Sequence, residues 1–119
     1  MKRNISVVLF FLLLSGCAGF QQQKVIDKAG MIALEINKSY LIMYNTALNI
    51  TNNGSEAQKA FCKERINPKL NEVKPLIIKM DKALAIWKET GIDSFDALKQ
   101  QEGIQKFLQA ISQLLLEVS

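Results

Sequence analysis

A chain of 119 residues holds one domain at most, and it carries no histidine, two cysteines and a formal charge of +4. The missing histidine removes the commonest general base, the nucleophile–histidine pairings and most zinc sites. The modest charge, spread from Lys24 to Lys106 once the two basic residues at the start are set aside, excludes the concentrated basic face that nucleic acid requires.

The chain opens on Met1-Lys2-Arg3 and continues into eight unbroken apolar residues, Val7 to Leu14. A bilayer-spanning helix needs about 20 apolar residues, so this run is too short to remain as a span. A basic start followed by a short apolar core is the pattern of a secretory signal. The run ends in Leu14-Ser15-Gly16-Cys17, which resembles the lipobox of bacterial lipoproteins. The resemblance covers residues 1–17. It implies a diacylglyceryl group on the Cys17 sulfur, cleavage between Gly16 and Cys17, and often a further fatty acyl chain such as palmitate on the new N-terminus. Residues 1–16 are then a cleaved signal, 17–23 the lipidated cysteine and a short linker, and 24–119 the folded domain. The expected location is the cell envelope. Ala18 follows the cysteine where an inner-membrane retention signal usually has Asp, so sorting in a Gram-negative cell points to the outer membrane, facing the periplasm. A Gram-positive host places the protein on the outer face of the cytoplasmic membrane. Residues 17–119 retain 13 Lys and Arg against 11 Asp and Glu.

Residues 18–23 extend at most about 20 Å, which keeps the domain near its anchor. From Lys24 to about Thr51, Val25, Ala29, Ile32, Ile36, Tyr40, Met43, Ala47 and Ile50 recur at steps of three and four. This spacing predicts one face of a helix roughly 40 Å long. A second stripe flanks it: Ile26, Ala33, Leu34, Leu41, Tyr44 and Leu48. The polar side is narrow (Lys28, Glu35, Lys38, Ser39, Asn45, Asn49) and is interrupted by Met31 and Ile42, so the helix is more apolar than a three-helix bundle requires.

Thr51-Asn52-Asn53-Gly54 reads as a turn, and Ser55 with Gln58 as the capping box of the next helix. There Cys62, Ile66, Leu70, Val73, Ile77, Met80, Leu84 and Trp87 keep one register straight through Pro68 and Pro75. Two arrangements satisfy this: a break near Ile66 with a new helix starting at Pro68, or one long helix bent at the two prolines, both of which lie opposite the stripe. The unbroken register favours the bent helix. Thr90-Gly91 ends it, and Asp93 or Ser94 caps a third helix with Asp96 in its first turn. Its stripe is Ala97, Ile104, Leu108, Ile111, Leu115 and Val118, widened by Phe107 and Leu114. Gln101 falls in that stripe and Gly103 follows, which predicts a weak point or break at 101–103. The fold expected is all-α, an antiparallel three-helix bundle.

No motif for nucleotide or metal chemistry occurs, and the nearest acidic pair, Asp93 and Asp96, is explained by the start of a helix. The expectation is a protein that is not an enzyme and takes no cofactor beyond covalent lipid on Cys17. Cys62 lies on the second helix's stripe as a buried thiol, or alternatively pairs with another chain. Tyr40, Tyr44, Phe61, Trp87, Phe95 and Phe107 read as core before they read as a ligand pocket. Lys59, Lys63, Glu64, Lys69, Lys74, Lys79, Lys82 and Lys88 read as a solvated face. The excess apolar surface is the informative feature, because exposed apolar patches mark interfaces. Met31, Ile42 and Leu116, which stand off the core stripes, are the candidate contacts with a second copy, a protein partner or the membrane surface. The function expected is a membrane-anchored, non-enzymatic interaction or structural role. The alternatives are carriage of an apolar ligand between helices, and a phage- or plasmid-borne lipoprotein for lysis or superinfection exclusion.

Overall fold

The computed structural model describes residues 25–93 and 95–119. Gly16, Cys17, the segments 1–16 and 17–23, and the candidate cap Ser94 lie outside the described residues.

Helix α1 spans Val25–Asn53 with Asp27 in its first turn, where a negative charge opposes the positive end of the helix dipole. Its inward face carries Ala29, Ile32, Ile36, Met43, Ala47 and Ile50, all buried, with Tyr40 partly buried beside them. Val25, the first of the expected stripe, is exposed. Ser39 does not lie on the polar strip expected of it. It is buried, because it stands three residues after Ile36 and four before Met43, in the register of the core.

The turn that follows depends on a close backbone approach. The Gly54 N–H donates to the Ile50 carbonyl at 2.8 Å, and a Cβ on Gly54 would stand 2.6 Å from that same oxygen. Ser55 then caps α2 (Glu56–Phe61) through a complete capping box. The Gln58 N–H donates to Ser55 Oγ at 3.2 Å and the Ser55 N–H donates to Gln58 Oε1 at 2.9 Å. The same Gln58 amide donates from Nε2 to the Val118 carbonyl at 3.1 Å, tying the start of this helix to the end of the last. Replacing Gln58 with Ala removes the box and the tie together. The expected loss is about 1–2 kcal/mol in urea titration, while Ser55→Ala, which leaves the tie intact, costs less.

Helical conformation continues from Glu56 to Thr90 without a loop. Between α2 and α3 (Asn67–Thr90) lies a π-helical turn, Cys62–Ile66, in which the Asn67 N–H bonds to the Cys62 carbonyl five residues back. This turn leads directly into Pro68. A proline ring crowds the carbonyl four residues before it and offers no N–H, so the wider turn is where it is admitted at least cost. Pro75 stands inside α3, exposed to solvent. The stripe Cys62, Ile66, Leu70, Val73, Ile77, Met80 and Leu84 is buried throughout, with Trp87 packed at its edge. Gly91, at φ 76°, closes α3 by donating its N–H to the Trp87 carbonyl at 2.8 Å.

Helix α4 (Ala97–Val118) begins under the carboxylate of Asp93, whose two oxygens each accept the Ala97 N–H at 3.1 Å. Asp96 precedes the helix in the left-handed region, at φ 54°, and is not part of its first turn. The break expected near 101–103 is absent: α4 runs uninterrupted through Gly103. Gln101 is fully buried, and its Nε2 donates to the Ala29 carbonyl at 2.7 Å and lies 3.7 Å from the Met80 sulfur. One side chain from α4 thereby touches both other helices. The described residues are all-helical, with no strand, and α1, the run 56–90 and α4 each pack against the other two.

Candidate interaction surface

Three helices leave each helix with an outer side, and α1 keeps that side apolar. Leu34 is 67% exposed, Leu41 57%, Leu48 46% and Tyr44 44%. These four were read as a stripe flanking the core; of that stripe only Ala33 is buried, and Ile26 is half-buried. Leu34, Leu41 and Leu48 are spaced by seven, with Tyr44 three beyond Leu41 and Asn37 three beyond Leu34. This is the repeat of a helix seam that faces another helix. Tyr44 stacks on Tyr40 with ring centroids 6.2 Å apart, so the outer stripe is braced against the core through one aromatic pair.

The stripe borders the furrow between α1 and α3. At one end Ile26, Gly30, Met31 and Leu34 face Leu84, Ala85 and Lys88 across an open groove of about 640 Å³. At its middle the Asn37 Nδ2 donates to the Asp81 carboxylate at 3.2 and 3.3 Å. At the other end Tyr44 and Leu48 line a smaller hollow with Asn67, Leu70 and Asn71. Ile78, 45% exposed, falls between these levels on α3, as Leu41 does on α1. The apolar surface therefore continues across two helices.

The residues singled out from sequence are not all part of it. Met31 and Ile42 are exposed on α1, at 45% and 40%, and Met31 joins the groove. Leu116 is half-buried and packs against the core, so it adds little open surface. The sequence pattern places Leu34, Leu41 and Leu48 on a flanking stripe but not among the candidate contacts, and it carries no signal for Ile78 and Ile86 of α3. Of the six aromatics, Tyr40, Phe61, Trp87, Phe95 and Phe107 pack against the core and only Tyr44 is open. The lysines of the second helical run are exposed, except Lys59, which is partly covered.

Cys62 is fully buried. Burial pushes its thiol pKa up, partly opposed by a hydrogen bond with Thr51. Burial also raises Tyr40, and the neighbouring Tyr44 adds to that shift. The thiol is therefore protonated at neutral pH and shielded. Ellman's reagent is expected to modify Cys62 only at the rate of unfolding, and rapid labelling of the native protein would contradict its burial. Because the fold holds this proton more tightly than the unfolded chain does, stability is unaffected at neutral pH. It falls as pH rises through the range where free thiols ionise.

Among the described residues no group of acidic or cysteine side chains is placed to hold a metal ion, and no helix is long and apolar enough to cross a membrane. The chain matches no family model, no curated protein and no solved structure.

Proposed function

We propose that the protein is a lipid-anchored component of the bacterial cell envelope that works by non-enzymatic binding to protein. The observation that carries the binding half of this reading is the open apolar stripe of α1 continued by Ile78 on α3. Exposed apolar surface of this extent is a liability for a free domain and an asset for a docked one. The anchoring half rests on the lipobox resemblance at Leu14 to Cys17. Diacylglyceryl modification supplies two chains, and each buried methylene adds about 0.8 kcal/mol, enough for stable attachment. Replacing Cys17 with Ser is expected to move the protein from the membrane to the soluble fraction after export. Continued membrane attachment of that variant would falsify the anchor.

Within this reading the three helices run antiparallel, up-down-up, with the run 56–90 curved at Pro68 and Pro75. Support for the direction comes from three cross-helix contacts: Asn37 with Asp81, Ala29 with Gln101, and Gln58 with Val118. Support for the curvature comes from the π turn before Pro68 and from the solvent exposure of both prolines. A second reading, carriage of an apolar ligand, is favoured by the groove between Leu34 and Leu84, whose rim holds Asp27, Asn37 and Lys88. Co-purified lipid displaced by Leu34→Gln would support it over protein docking.

A further inference from the structure

We infer that the outer stripe of α1 pairs with the same stripe of a second copy, the two helices running in opposite directions about Leu41. This deepens the docking reading above and rests on it, but it does not depend on lipid at Cys17. Three observations point to a second copy.

The first is symmetry of spacing. Leu34 and Leu48 stand seven residues before and after Leu41, so reversal about Leu41 sets Leu34 of one copy against Leu48 of the other and Leu41 against itself. A two-fold interface requires this self-complementarity. The second is charge. Between Gly30 and Ser55 the only ionised groups are Glu35 and Lys38, and the stripe is bordered by the neutral, exposed Asn37, Asn45 and Asn49. Reversal about Leu41 puts Lys38 at the level of Tyr44 and Glu35 at the level of Ala47, so within the α1 pair no like charges are opposed. An interfacial helix on an anionic bilayer carries an excess of lysine along its polar flanks, whereas in α1 Lys28 and Lys38 are matched by Asp27 and Glu35. The third is area. A helix of 29 residues is about 43 Å long and about 10 Å wide. That is roughly 430 Å² for the helix alone, about half the share one partner contributes to a standard stable interface, so α3 beside it must supply the rest.

The test uses the full chain carrying Cys17→Ala, purified in mild detergent, so that Cys62, which is buried, is the only native thiol. Leu34→Cys, Leu41→Cys and Leu48→Cys are introduced singly and oxidised. Leu41→Cys is expected to form a disulfide-linked dimer. Leu34→Cys and Leu48→Cys are expected to cross-link only when mixed, because the two copies of residue 34 lie about 21 Å apart along the reversed helices, and a disulfide needs Cα atoms within about 7 Å. Cross-linking of Leu34→Cys alone but not with Leu48→Cys indicates parallel helices and overturns the proposal. Leu41→Lys, an exposed change that leaves the core intact, is expected to weaken self-association by roughly tenfold or more in sedimentation. A protein that is monomeric at high concentration and gives no cross-link overturns the proposal. So does a monomer that floats with phosphatidylcholine vesicles and loses that flotation on Leu41→Lys, which would assign the stripe to lipid.

Discussion

Gln101→Glu is expected to destabilise the protein by about 3 kcal/mol or more at neutral pH, and Gln101→Met to leave it as stable or stabilise it by about 1 kcal/mol. The wild-type amide is fully buried between three helices with only half of its capacity used: Nε2 reaches the Ala29 carbonyl, while Oε1 has no partner. Met fills nearly the same volume and removes the orphaned oxygen. It gives up one neutral hydrogen bond, worth about 1 kcal/mol, against a buried unsatisfied carbonyl that costs about 1–3 kcal/mol. Glu instead leaves a carboxylate with no donor but the water it was taken from. Its folded pKa rises, so the native state binds more protons than the unfolded chain and stability falls as pH climbs above the ordinary carboxylate range. The loss for Gln101→Glu is therefore smallest in acid and grows toward neutrality. Urea titration across pH 4 to 8 checks both sign and slope; a Gln101→Met protein less stable than wild type by more than 1 kcal/mol would show that the amide stabilises the fold.

The second large effect separates the two apolar sides of α1. Ile36 is fully buried at the centre of the helix, and Ile36→Ala is expected to cost about 3 kcal/mol, from lost transfer energy and the cavity left behind. Leu41, five residues on and 57% exposed, removes no core volume, so Leu41→Ala at high dilution is expected to change stability by less than about 0.5 kcal/mol. Thermal unfolding at micromolar concentration distinguishes them, and equal losses would mean that Leu41 is covered within a single copy.

Helix spacing was legible because steps of three and four are the same in sequence and in space. Cys62 to Leu84 and Ala97 to Leu115 fell into the core as their register required. The π turn at Cys62–Ile66 was not legible. Its two consecutive four-residue steps also occur at Ile32, Ile36 and Tyr40, where α1 stays regular. Gln101 misled because a polar residue followed by glycine reads as a weak point, and only the Ala29 carbonyl across the bundle explains why it is buried. Periodicity placed Leu34, Leu41 and Leu48 on one side of α1. It carried no information on whether a neighbouring helix covers that side, which depends on how few helices surround it. For that reason the surface choice caught Met31 and Ile42, which interrupt the polar strip of α1, and Leu116, which stands off the core stripe of α4, and passed over the longer stripe on α1.

The placement of α1 also sets an order in time. It is the first described helix to leave the ribosome, yet the residues that cover it, from Ile66 to Leu84 and from Ala97 to Leu115, are made last. Until α3 and α4 are synthesised, its inward side faces water together with its outer one, with two charges in its central stretch to keep it from neighbouring chains. Such a segment favours aggregation over waiting. The newborn chain is thus expected to need a holding chaperone until α4 is complete, and α1 is the segment that chaperone would grip.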